Sequence, residues 1–126
     1  MKKFLFGILL FVILPVISCE AKSSAVFDEA IHDFGKISKD SSVKYTFNFK
    51  NTGKSTLVIE RIKTSWGCTG TLLSDKEIPA GGSGKLEIEL HTDMKIGEII
   101  KTIYVYTNDP DHKMIKLVIK ATVLDE

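Results

Sequence analysis

Cysteine is scarce in this chain, and its two copies, Cys19 and Cys68, stand far apart. Two thiols cannot build a disulfide framework or a four-thiolate zinc site. Histidine is nearly as sparse. His32, His91 and His112 show neither the H-x-H nor the H-x₃-H spacing that sets two imidazoles on one metal. No phosphate-binding loop, dinucleotide fingerprint, nucleophile elbow or zinc spacing occurs. Charge is nearly balanced at +1, with no basic block, which argues against nucleic acid as a partner. No bound metal or cofactor is expected, and no enzymatic activity.

The one long apolar run lies at the N-terminus. Lys2 and Lys3 precede the run from Phe4 to Ile17, 14 residues with no polar face. That is short for a membrane span, lacks the wet stripe of a buried surface helix, and suits a secretory signal over residues 1–18. The run ends in Val16-Ile17-Ser18-Cys19, which resembles the lipobox of bacterial lipoproteins. The resemblance implies cleavage before Cys19 and lipidation of its sulfur and its new amine. An ordinary signal peptide with a chance cysteine is the alternative. Glu20 at the next position favours the outer over the inner membrane on the enteric sorting pattern. The expected location is therefore the bacterial cell envelope, lipid-anchored.

Removing residues 1–18 leaves 108 residues, enough for one domain, and shifts the net charge to −1 because two lysines and no acid are lost. Residues 19–25 read as a short linker. The six residues between Cys19 and the first strand-like positions span roughly 20 Å when extended, which keeps the domain close to its membrane.

The remainder, 26–124, alternates. Val43, Tyr45, Phe47 and Phe49 share one face of a strand, Leu86, Ile88 and Leu90 another, and the stretch from Ile115 to Val123 continues the pattern. Val26–Phe34, Ser55–Lys63 and Ile99–Thr107 read as further strands, and nothing after the signal shows a helical period. Asn51-Thr52-Gly53-Lys54 looks like a tight hairpin turn, Pro79–Gly84 breaks the chain, and Asn108-Asp109-Pro110-Asp111 closes a last hairpin. The expected fold is all-β: an immunoglobulin-like sandwich of about seven antiparallel strands. A domain of this size needs no disulfide staple.

Several segments, in order, resemble one bacterial family, the domain-of-unknown-function family 1573. They are His32–Ile37, Phe47–Gly53, Gly67-Cys68-Thr69, Ile78–Gly81 and Tyr106–Pro110, spread over about residues 27–123. The resemblance implies an Ig-like sandwich similar to major sperm protein and to related domains of ciliary proteins, which are mostly interaction modules. It brings no catalytic activity. The family often carries a Cys-Gly-Cys-Thr run, and here Trp66 stands where the first of those cysteines would be. A cysteine pair could hold a soft metal or form a redox couple, whereas one thiolate does neither alone.

Cys68 keeps three readings: a small apolar residue at a strand edge, a thiol for an intermolecular disulfide, and a reactive or metal-binding thiolate. Asn108 to His112 is acidic but lacks the spaced ligands and closing glutamate of a calcium loop, so turn chemistry explains it. Tyr104 and Tyr106 alternate with Ile103 and Val105 and, if their face is outside, form an aromatic stripe. With Trp66 they are candidate interaction residues. The expected function is a lipid-anchored envelope module that binds another protein. The alternative is an envelope thiol protein, redox-active or copper-binding, that uses Cys68 with a partner chain.

Overall fold

The computed structural model describes residues 21–64, 69–92 and 96–125. Within them the chain forms nine strands and no helix: β1 (Ala25–Phe27), β2 (Ile31–Ser38), β3 (Ser42–Asn51), β4 (Leu57–Thr64), β5 (Thr69–Leu73), β6 (Glu77–Ile78), β7 (Ser83–His91), β8 (Gly97–Thr107) and β9 (Met114–Leu124). They make two packed sheets. One runs β1-β3-β7-β5 and the other β2-β9-β8-β4-β6. The chain is an Ig-like β-sandwich.

Alternation puts the core where the sequence places it. Phe47, Phe49, Leu86, Ile88 and Leu90 face inward from the four-stranded sheet. They meet Leu57, Ile59, Ile103, Val105, Leu117 and Ile119 of the five-stranded sheet, all essentially excluded from solvent. Each such side chain contributes on the order of 1.5–3 kcal/mol by leaving water. The period of two decides which residues these are, since a one-residue slip would turn every one of them outward. Lys101 is the one charged residue on the inward side of β8. It is 2% exposed and is not without a partner.

Three details depart from the sequence reading. The stretch Val26–Phe34 is two strands, because the chain steps from one sheet to the other between Phe27 and Ile31. Asp28 donates its amide to the Asn48 carbonyl on one side of the step, and Val118 donates to the Ala30 carbonyl on the other. After that step β2 runs parallel to β9, while the other strand pairs are antiparallel. Finally, Asn51–Lys54 is not a hairpin. It joins β3 to β4, which lie in different sheets, so the connection arches across the end of the sandwich.

The inner end of β2 closes the core with aromatic rings. His32 stacks on Tyr45 with centroids 3.6 Å apart, and Phe34 meets the same ring edge-on. The Tyr45 hydroxyl donates to Glu29. His32, which sequence spacing leaves unassigned, is a packing residue here.

Candidate functional site

Three surface features stand out: a polar clasp at one end, a free strand edge, and an aromatic face.

The clasp holds the N-terminal segment. The Asn51 side chain accepts amides from Ser24 (3.1 Å) and Gly53 (3.0 Å), and its amide nitrogen donates to the carbonyls of Ser55 (2.7 Å) and Ile78 (3.0 Å). Asn108 accepts from the Ser23 hydroxyl at 3.0 Å and from the Val58 amide at 2.9 Å, and donates to Thr56. Asp109, 1% exposed, accepts the amides of Ala25 (3.0 Å) and Asp111 (2.9 Å) and contacts His112 Nδ1 at 2.9 Å. Burial works against its charge. The two amides and His112 outweigh that cost and hold the carboxyl below its ordinary range. Lys54 and Ser55 donate amides to the Lys22 carbonyl, and Thr52 to that of Ser24. Gly53 is required by close approach, since a Cβ there would lie 2.1 Å from the Lys22 oxygen. Asn108–Asp111 therefore is turn chemistry, and the same turn also anchors a segment more than eighty residues away. Of the segment read as a short linker, residues 19–25, Lys22 to Ala25 are held by these bonds.

Among the described residues the free edge belongs to β5. A sandwich has four edge strands, and three of these are blunted. β1 has three residues and β6 two. β2 carries a bulge between Asp33 and Lys36, where Gly35 takes a φ of 72°. Short strands and bulges are the usual protection against unwanted pairing. β5 has neither: it pairs with β7 in unbroken register, Thr69 with Leu90 through Leu73 with Leu86. Its Leu72 is 66% exposed. β4 pairs with β6 only at Leu57 and Val58. A cleft of about 420 Å³ consequently opens between the two sheets, lined by Thr71 and Leu73 on one side and Ile59, Arg61 and Ile62 on the other.

Tyr104 and Tyr106 lie on the outer face of the five-stranded sheet, half-buried, while Ile103 and Val105 point into the core. The Arg61 guanidinium sits 4.2 Å from the centre of the Tyr106 ring, and Lys116 Nζ lies 6.0 Å from that of Tyr104. The stripe is thus interleaved with cations, a feature invisible until β4 and β9 are set beside β8.

Cys19, Trp66 and Cys68 lie outside the described residues. His91 is exposed and lies 3.4 Å from Glu89, and His112 belongs to the clasp. Among the described residues no group of three or more His, Cys, Asp or Glu side chains is placed to hold a metal ion.

The family model described as "Protein of unknown function (DUF1573)" matches residues 25–123. The chain belongs to the DUF1573 family. No curated protein matches its sequence significantly. Among solved structures, a protein of unknown function from Porphyromonas gingivalis superposes with a TM-score of 0.74 at 19% identity, covering 86% of this chain. The DUF1573 chain spans 50% of that protein's length. A PapD-like domain of human CEP192 gives 0.66 at 8% identity, over 83% of this chain and 88% of that one. SSP-19 of Caenorhabditis elegans, an MSP-domain protein like family member, gives 0.56 at 14% identity, over 79% and 98%. At such identities the likeness is one of fold. The clasp uses the family-like segments directly: Asn51, Gly53, Asn108 and Asp109 converge on the N-terminal segment, and Ile78 accepts from the Asn51 side chain.

Proposed function

We propose that this chain is a lipid-anchored module of the bacterial cell envelope that acts without catalysis, by accepting an extended segment of a partner protein at the β5 edge. The observation that carries the reading is the undefended edge itself. Among the described residues it is a five-residue strand in unbroken register, paired on one side and flanked by a cleft, and its Leu72 is the most exposed large hydrophobic there. In strand addition the main chain supplies affinity, and alternate side chains find pockets that supply specificity. The cleft beside Thr71 and Leu73 is a place for one such side chain. The apolar run ending at Cys19 supports the anchor, through the lipobox it resembles. The fold neighbours include PapD-like and MSP-like domains, which fits an interaction module.

The test places a photo-crosslinking amino acid at Thr71 or, as a control, at Asn48 on the outer face of the central strand β3, in the full-length chain in its native membranes. The reading requires one discrete adduct from position 71 and none from 48. Leu72→Lys, which sets a charge on the edge without touching the core, should abolish it. Equal adducts from both positions, or an adduct indifferent to Leu72→Lys, would sink the proposal.

A second reading, an envelope thiol protein using Cys68 with a partner chain, draws on one fact: Cys68 immediately precedes Thr69, the first residue of β5. A partner strand added along β5 would pair with residues beginning one position after Cys68 in the sequence. A reducible adduct lost in Cys68→Ser would favour it, and a copper-dependent absorption band would assign the metal variant.

A further inference from the structure

The clasp fixes where the chain leaves the domain, and that exit lies beside the aromatic and cationic face. Lys22 is already hydrogen-bonded to Lys54 and Ser55, so only Glu20 and Ala21 separate it from Cys19. Fully extended, a tether of that length reaches at most about 10 Å, at roughly 3.3–3.6 Å per residue, half the span the sequence suggests. Asn108 and Asp109, which bind Ser23 and Ala25, sit in the hairpin between β8 and β9. On the outer face of the five-stranded sheet, two successive cross-strand rows start beside that hairpin. Met114, Tyr106 and Arg61 form one, and Lys116, Tyr104 and Lys63 the next.

These rows have the composition of a membrane-facing surface. Tyrosine favours the level of the headgroups, and lysine and arginine meet anionic lipid within a Debye length, about 8 Å at physiological salt. Met114 adds an apolar side chain that is 43% exposed. Glu60, in the bulge of β4 beside Arg61, is the nearest acid by sequence on this part of the sheet. The opposite sheet presents a different face: Lys44 is paired with Glu87, and Ser42 donates to Glu89. Lys50 and Lys85 are also exposed on that sheet, so the contrast is local: the rows around Tyr104 and Tyr106 carry Arg61, Lys63 and Lys116 beside the one acid Glu60, although the chain after residue 18 has a net charge near zero.

We infer that the outer face of the five-stranded sheet, centred on Tyr104, Tyr106, Arg61, Lys63 and Lys116, docks on the anionic phospholipid surface to which the chain is anchored, leaving the β5 edge turned to the surroundings. The inference rests on the lipid anchor proposed above. It deepens that reading by giving the anchored domain an orientation. An edge strand held in a defined direction can meet a partner that a freely tumbling domain would present at random.

The experiment uses the full lipidated chain in vesicles of phosphatidylcholine alone, or with about 30% phosphatidylglycerol. Lysines are acylated by an amine reagent and quantified by mass spectrometry. Lys63 and Lys116 should be labelled about fivefold less in the anionic vesicles. The protection should vanish in about 0.5 M salt and in Arg61→Glu. Lys44 and Lys85, on the opposite face, should label alike in both. Equal labelling of Lys63 and Lys116 in both vesicles, with the chain still floating with them, overturns the docking and leaves the anchor standing. A chain that fails to float and retains an unmodified Cys19 thiol overturns the anchor and the docking together. Protection seen in native membranes and absent from anionic vesicles would mean that a protein covers the face, and would overturn the inference as well.

Discussion

The Asp109 carboxylate accepts the Ala25 amide at 3.0 Å, joining positions 84 residues apart. One short contact thereby ties the entry of the chain to its last hairpin, on a side chain that is 1% exposed. The arrangement makes a latch of a turn motif, and the chemistry of that latch can be measured.

Replacing Asp109 by Ala strands the buried Ala25 amide and takes the acceptor from the part-buried Asp111 amide. Lost charged hydrogen bonds and unsatisfied donors cost about 1–3 kcal/mol each, and partial relaxation should leave a loss of about 2–4 kcal/mol in urea denaturation. Asp109→Asn keeps one acceptor oxygen and should lose about half as much. If Asp109→Ala unfolds within about 0.5 kcal/mol of the parent, the latch contributes nothing.

The same residue sets an acid limit. Its carboxyl is held below the ordinary value of 3.8, so the folded state binds a proton there less readily than the unfolded chain does. The resulting stability is complete above the unfolded pKa and is lost as pH falls through the lowered one. Denaturation midpoints of the parent should therefore drop below about pH 4, whereas Asp109→Asn should show a shallower decline over that window. Parallel curves for the two proteins would assign acid sensitivity elsewhere.

Gly53 tests the clasp from its other side. A methyl at this position would meet the Lys22 carbonyl at 2.1 Å and the Ser24 amide at 2.7 Å, both backbone atoms. Neither can swing away as a side chain would, so Gly53→Ala must displace the N-terminal segment. The loss in global stability should be about 1–3 kcal/mol. The sharper readout is hydrogen exchange: the amides of Thr52 and Lys54, which donate to Ser24 and Lys22, should lose protection while those in β7 and β8 keep it. Unchanged protection at Thr52 and Lys54 would show that the segment does not depend on the fit.

Much of this fold was legible because alternation is a local signal. Phe47 and Phe49, Leu86 through Leu90 and Leu117 through Val123 declare their inward face within one strand. What stayed hidden depends on distant partners. Asn51-Thr52-Gly53 looks like any turn, and nothing local reveals that Asn51 receives Ser24 from 27 residues away. The division of Val26–Phe34 depends on which sheet offers a free edge, a property of β3 and β9 and not of the segment itself. The cations around Tyr104 and Tyr106 come from three strands, and only the register of β4 and β9 against β8 brings Arg61 and Lys116 to the rings. The β5 strand went unread in the sequence, and the Pro79–Gly84 break gave no hint of which strand would be left open.

The bulge in β2 offers the cleanest separation of backbone from packing. Gly35 adopts a φ of 72° and its amide bonds the Asp33 side chain at 2.8 Å, while nothing lies within 4 Å of where a Cβ would stand. A substitution there meets no neighbour, so its cost is conformational alone. Gly35→Ala should lose about 1 kcal/mol, Gly35→Asn less because asparagine tolerates the left-handed region, and Gly35→Val more because its branched Cβ does not. The order Asn, Ala, Val in urea midpoints, with m-values unchanged, would confirm a strained turn in an otherwise intact sheet. If all three match the parent, β2 accommodates the change by giving up the bulge. Its outer edge would then be straight and available for pairing, and those variants should self-associate more than the parent on size-exclusion chromatography.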